Sequence, residues 1–372
     1  MNRRVASRFT LGLVLPLLFA ALSTVSAQED VFTGIERVVA IGDVHGDHDQ
    51  FVAVLRSAEL IDAQGKWTGG KTHLVQTGDL LDRGPDSRKA MDLLMRLEEE
   101  ARRAGGAVHA LIGNHEAMNL YGDLRYVSPG EYAAFRDANS EKARDELYKE
   151  EQKRFPDRKR WEADHPLGFA EHRRAFGPTG TYGKWIRGHN VIVQIDDTIF
   201  LHGGLSPKMA DWTVRKINEQ ARSELEDFAK LQVGIVMDNE GPLWYRGLAE
   251  LEEKALEPQA DAILKNYNVQ RIVIGHTVAK EGSIMPRVGG KVVMIDIGLC
   301  RIYDPKLRMA CLVIEKGKPS VLHRGKRLEF PSDPGVDLLR YFKQAAALDP
   351  SPSPLGKRIA ELEARLAAPS RK

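Results

Sequence analysis

Cysteine is nearly absent from this chain: two in 372 residues, too few for a disulfide scaffold. Aromatic residues make up only 7%, and neither glycine (33) nor proline (18) reaches the share of a collagen-like or low-complexity sequence. A charge excess of one sign is also missing, since 54 Lys and Arg face 52 Asp and Glu for a formal net charge of +2. That balance gives no argument for nucleic-acid binding. The apolar run Leu11 to Leu22 is short for a membrane-spanning helix. What is present, 42% hydrophobic and 28% charged residues, suits a folded protein with a sizeable core.

That apolar run follows Arg3, Arg4 and Arg8 and ends in Ser23-Thr24-Val25-Ser26-Ala27, with no acid among residues 1–27. A basic start, an apolar centre and a small-residue end form the pattern of a secretory signal, cleaved before Gln28. The expectation is a periplasmic or secreted protein with no stable membrane insertion after cleavage. Subtracting three positive charges leaves the other 345 residues at −1.

Beyond the signal, Arg37 to Ile41, His73 to Thr77 and Ala107 to Ile112 are apolar strand-like runs. Each stops at a glycine-flanked loop, and helical periodicity follows in Asp49 to Leu60 and Ser87 to Arg103. Repeated strand-loop-helix units predict a parallel-type sheet with its site at the strand C-termini. Strand signals resume at 191–195 and 199–201, around an Asp196-Asp197 turn, then at 271–274, 291–297, 309–314 and 320–323. The fold class expected is α/β, two packed β-sheets flanked by α-helices, with a mostly helical cap inserted at 120–188. The catalytic domain spans 28–349. Pro350, Pro352 and Pro354 mark a linker within 350–372, ahead of a charged helical tail.

Five of the post-strand loops carry Asp43-x-His45, Asp79, Asn114-His115, His202 and His276. Carboxylate, imidazole and amide oxygen together make the donor set for two divalent ions, with Mn, Fe or Zn as candidates. One carboxylate must be shared to hold two ions about 3.5–4 Å apart, and Asp79, in the middle loop, is the natural bridge. A lone histidine at a strand end is usually structural. Five such loops in order are not readily accidental.

Gly42-Asp43-Val44-His45-Gly46, Gly78-Asp79-Leu80-Leu81-Asp82-Arg83-Gly84, Gly113-Asn114-His115-Glu116, His202-Gly203-Gly204 and Gly275-His276 resemble the calcineurin-like metallophosphoesterases. Asp82-Arg83-Gly84 and Asn114-His115-Glu116 are similar to the phosphoprotein phosphatase branch. Asp296-Ile297-Gly298-Leu299-Cys300 stands where eukaryotic members of that branch carry Ser-Ala-Pro-Asn-Tyr-Cys. With the signal and the cap, this makes the Shewanella-like protein phosphatases the most similar group. The resemblance implies that Asp43, His45 and Asp79 hold one metal, and Asp79, Asn114, His202 and His276 the other. It further implies His115 as general acid oriented by Asp82, and Arg83, Arg246 and Asn114 as phosphate ligands.

The implied activity is hydrolysis of phosphomonoesters on a protein or peptide, with a possible phosphotyrosine preference. A pair of metals makes hydroxide available near neutral pH for direct attack on phosphorus, so no phosphoenzyme is required. A diadenosine-polyphosphate or small phosphoester substrate is the alternative, and a non-catalytic phospho-ligand binder is a further one. Trp161, Phe169, Phe176, Tyr182 and Trp185 either wall a phosphotyrosine recess or form the cap's own core, and His165 or His172 could face the pocket. Cys300 and Cys311 flank a turn, and in an exported protein a disulfide between them is permitted.

Overall fold

The computed structural model describes residues 29–368, so the expected signal at 1–27 lies outside the described residues. One six-stranded sheet contains β2 (Arg37–Ile41), β3 (His73–Gln76), β4 (Ala107–Ala110), β10 (Ala310–Glu315), β11 (Lys318–His323) and β12 (Lys326–Glu329). Its order is β12-β11-β10-β2-β3-β4; β2, β3 and β4 are parallel, and the rest pair antiparallel. The other six-stranded sheet contains β1 (Val31–Phe32), β5 (Ile192–Ile195), β6 (Thr198–Leu201), β7 (Arg271–Ile274), β8 (Met285–Arg287) and β9 (Val292–Met294). It runs β1-β5-β6-β7-β9-β8, with β6, β7 and β9 parallel.

The two sheets place their parallel strands so that the C-terminal loops of both meet. At Gly42, just past β2, a Cβ would lie 2.4 Å from the carbonyl oxygen of Ile295, just past β9. Glycine permits that approach, which brings two loops distant in sequence together.

Helix α1 (His48–Ser57) starts where the Asp47 carboxylate accepts from Gln50 N at 3.2 Å and caps it. Helix α2 (Ser87–Arg103) buries Ala90, Met91, Leu94 and Leu97 along one face, as its periodicity predicts. Residues 120–188 are helical, with α4 (Pro129–Ala134), α5 (Ser140–Glu151), α6 (Arg158–Asp164), α7 (Phe169–Phe176) and α8 (Thr181–Arg187) following α3 (Asn114–Tyr121). Phe135, Phe176, Tyr182 and Ile186 join the main apolar core. Tyr182 and Trp185 also reach α2, donating to Asp92 at 2.6 Å and Glu98 at 2.9 Å.

Downstream lie α9 (Val214–Glu226), α10 (Phe228–Leu231), α11 (Gly247–Glu250) and α12 (Glu253–Tyr267), then α13 (Val336–Ala346) and α14 (Gly356–Ala367). The sequence reading passed over α12, whose pattern Pro258 interrupts by removing a backbone donor inside the helix. The C-terminal helix, foreseen as a tail, docks: Leu362 is buried, and Lys343 of α13 pairs with Glu363 at 2.6 Å. Among the described residues, no helix is long and apolar enough to cross a membrane.

Candidate metal centre and active site

Every ligand candidate sits in a loop or helix start that follows a strand. Asp43 and His45 follow β2, Asp79 and Asp82 follow β3, Asn114 and His115 open α3 after β4, His202 follows β6, and His276 follows β7. The loops are sewn together by backbone bonds: Val44 N and His45 N both donate to Asp79 O, at 3.0 and 2.9 Å. Buried Glu116 gathers three more, accepting from Asp79 N, Leu80 N and Gly113 N at 2.8 Å each. His45, Asp79, Asp82, Arg83 and His276 all have positive φ, from 47° to 68°. Non-glycine residues rarely adopt that region, and such strain clusters at functional sites.

The donor atoms converge. His202 Nδ1–H donates to Thr77 O at 2.9 Å, which leaves its Nε2 with a lone pair. That lone pair faces Asn114 Oδ1 at 2.9 Å and Asp79 Oδ1 at 3.3 Å, an acceptor among acceptors. His276 Nδ1 lies 3.1 Å from the same Nε2, and the buried Nε2 of His276 has no partner. His45 repeats the pattern: its Nδ1 bonds Leu81 O at 3.0 Å, and its Nε2 lies 3.9 Å from Asp43 and 3.8 Å from Asp79. Carboxylate, amide and imidazole lone pairs gathered in a buried place suit cations, and backbone carbonyls that fix the imidazole tautomer are the usual support of a metal ligand.

Charge tells the same story. Burial, with Asp296 and Asp79 nearby, lifts the Asp43 carboxyl well above its usual range. Burial also opposes ionisation of Asp79, yet the His115 imidazolium beside it helps hold it well below the ordinary value. Burial lowers His45 to about 3 and His276 to about 2, so both are neutral bases at pH 7. Asp79 belongs to two compact groups, one with His45 and His115, the other with His202 and His276. Asp79 is thus common to both groups.

A family model described as calcineurin-like phosphoesterase matches residues 36–280. The chain belongs to this family. Its members hydrolyse phosphoesters with divalent metals, and the donor set fits that chemistry. Shewanella-like protein phosphatase 2 of Arabidopsis thaliana is 32% identical, over 72% of this chain and 72% of its own. An uncharacterized Schizosaccharomyces pombe protein is 35% identical, over 72% of this chain and 74% of its own. The solved cold-active protein-tyrosine phosphatase of a psychrophilic Shewanella is 28% identical with a TM-score of 0.63, covering 82% of both chains.

The remaining sequence candidates fall around this centre. His115 Nδ1 is 2.6 Å from Asp82 Oδ2, and its Nε2 is 3.7 Å from Asp79. Burial resists the imidazolium, but Asp79 and Asp82 prevail and raise the His115 pKa above its ordinary value. Arg246 is exposed and anchored through Nη1 to His276 O and Thr277 Oγ1, at 3.1 and 3.0 Å. Asn114 Nδ2 has only a weak contact, to Met118 Sδ at 3.8 Å, and its oxygen faces the metal side.

The aromatic residues suspected of walling a recess do something else. Trp161 stacks on His165 at 4.2 Å, and His172 packs against Tyr132, Phe135 and Phe176. The histidines pack among these rings while Phe176, Tyr182 and Trp185 pack on the main core, so neither histidine joins the metal-ligand candidates. Cys300 and Cys311 are both buried free thiols. The sequence reading gave no role to Asp296, whose buried carboxyl is raised to about 6 chiefly by burial, or to Tyr126 and Tyr303. The place of Asp296 at the end of the apolar run 291–297, just past β9, was the one available signal for that acid.

Proposed function

We propose that this chain is an exported two-metal phosphatase of phosphorylated proteins or peptides, preferring phosphotyrosine, with Mn, Fe or Zn as its ions. The observation that carries the reading is the buried cluster of Asp43, His45, Asp79, Asn114, His202 and His276, with His115 grouped beside His45 and Asp79 and paired to Asp82. The names of the plant phosphatase and the Shewanella tyrosine phosphatase support the substrate class. Export rests on residues 1–27.

Asp43, His45 and Asp79 would hold one ion, and Asp79, Asn114, His202 and His276 the other. When bound, such ions activate a water-derived nucleophile and neutralise phosphoryl charge. The chain's own residues do the rest. Arg83 and Arg246 supply guanidinium forks that match phosphate oxygens. Asp82 fixes the His115 ring through Nδ1 and favours its protonated form, so Nε2–H can pass a proton to the leaving oxygen. Asn119 holds Asp82 from the other side, its Nδ2 donating at 2.9 Å.

The test pairs metal analysis of purified residues 28–372 with hydrolysis of matched phosphotyrosine and phosphoserine peptides. Two equivalents of metal and faster phosphotyrosine turnover are expected. A dinucleoside polyphosphate cleaved orders of magnitude faster than either peptide overturns the protein-phosphatase reading, and metal-replete protein without turnover overturns catalysis itself.

A further inference from the structure

Arg83 lies close to two tyrosines that are far apart in the chain, Tyr126 and Tyr303. Its guanidinium carbon is 4.8 Å from the Tyr126 ring centre and 5.7 Å from that of Tyr303. Its Nε is buried without a hydrogen-bond partner, so contact with the two rings takes part in orienting the fork. Each ring also borders the reacting groups: Tyr126 is 5.0 Å from the His115 ring and Tyr303 is 5.8 Å from the His45 ring, between centroids.

Both tyrosines are held from behind. Arg83 N donates to Tyr126 O at 3.0 Å, tying that loop to the arginine it covers. Tyr303 sits on a turn closed by Tyr303 N to Cys300 O at 2.9 Å. The neighbouring Arg301 clasps Asp47 with its backbone N, Nε and Nη2, at 2.8, 2.9 and 2.8 Å, which anchors the turn to the loop of Asp43 and His45. Tyr126 remains 39% exposed, so part of its ring is open to a ligand.

We infer that Tyr126 and Tyr303 form an aromatic jaw about Arg83 that selects aryl over alkyl phosphate monoesters, an inference that rests on the phosphatase reading above. A phosphate held by Arg83 and facing His115 places its ester oxygen, and the group attached to it, beside these rings. A phenyl group there gains ring-on-ring contact, whereas the short methylene of phosphoserine leaves the rings in water and brings a polar backbone toward them.

The experiment compares kcat/KM for phosphotyrosine and phosphoserine peptides of one sequence, in wild type and in Y126L, Y303L, the double variant, Y126F and Y303F. Inhibition by inorganic phosphate in each variant reads the Arg83 clamp separately from the leaving group. The aryl-to-alkyl ratio is expected to fall about 3–10-fold in each Leu variant and about 10–100-fold in the double, and to stay within about twofold in the Phe variants. A wild-type preference for phosphotyrosine that persists in the Leu variants overturns the jaw and leaves the phosphatase reading standing. Wild type that cleaves neither peptide, or both equally, overturns the jaw together with the phosphotyrosine preference. Tyr126 is exposed enough that Y126L decides the matter even if Y303L fails to fold.

Discussion

The pairing of His115 with Asp82 makes a demand that one substitution can test. Asp82 is fully buried and uses both oxygens, one at 2.6 Å from His115 Nδ1 and one accepting from Asn119 at 2.9 Å. In Asp82→Asn one of those oxygens becomes an NH2 donor facing a donor. Either Asn119 loses its acceptor, or His115 must invert its tautomer and present Nδ1 as the acceptor. A buried group left unpaired costs about 1–3 kcal/mol, so the ring is expected to spend much of its time misoriented. The carboxylate that favours the imidazolium is gone as well.

The kinetic consequence depends on how much the leaving group needs a proton. General acid catalysis contributes about 10²–10⁴-fold, so phenyl phosphate, leaving as a basic phenoxide, should lose about 10²–10³-fold in kcat/KM. A nitrophenyl ester, whose leaving group is stable as the anion, should lose less than about 10-fold. Because His115 must be protonated to act, activity is lost as pH rises through its pKa. Without Asp82 that alkaline limb moves to lower pH. Metal content, read by mass spectrometry, should match wild type because Asp82 is outside the proposed ligand set. Equal losses for both esters, or loss of metal, would show that Asp82 serves the metal centre and not a proton donor.

Two further substitutions probe the support of the site and of the fold. In Gly275→Ala a Cβ would fall 2.5 Å from Asp43 Oδ1 and 2.8 Å from Thr77 Oγ1, so Asp43 must move. Weaker metal retention on dialysis is expected, with about 1–3 kcal/mol lost in denaturant unfolding; a variant that holds metal like wild type contradicts the close-approach argument. Asp349 accepts from His323, Arg324 and Ser353 at 2.8, 2.9 and 2.7 Å, and these partners outweigh burial to lower its pKa to about 2. A depressed carboxylate stabilises the fold above its unfolded pKa near 4 and loses that contribution as pH falls toward 2. Asp349→Asn should therefore cost about 1–2 kcal/mol at pH 7, with the difference from wild type closing between pH 4 and 2. A difference that does not change with pH rules out the charge as its cause.

Much of the centre was legible because its chemistry is written locally. Gly-Asp-x-His-Gly after an apolar strand announces both a loop and its ligands, and the strand ends bring all five loops to one face of the paired sheets. Helix α2 was legible to its boundaries, since a single amphipathic face decides it. What was not legible depends on contacts across the chain. Tyr303 meets His45 and Arg83 from a turn that Arg301 ties to Asp47, 254 positions earlier. The aromatic residues at 161–185 drew attention as a possible wall for the same reason in reverse: composition shows that rings are present, and only packing shows that they face one another.

The arrangement also explains why so much of the fold is committed to one place. Asp43, Asp79, Glu116 and Asp296 are four buried carboxyl groups, and Asp43, Glu116 and Asp296 are pushed toward the neutral form by burial and by their neighbours' charge. Five site residues add positive-φ strain of about 1–3 kcal/mol each. Stability alone would favour apolar residues with relaxed backbones at those positions. The two six-stranded sheets, with cores sealed by residues such as Phe51, Phe200 and Phe342, supply the apolar burial that offsets this cost. Cations at the centre would relieve the carboxylate repulsion directly, so metal affinity and folding stability should be linked through the same residues. The loops can then stay strained and electron-rich because the strands beneath them are neither.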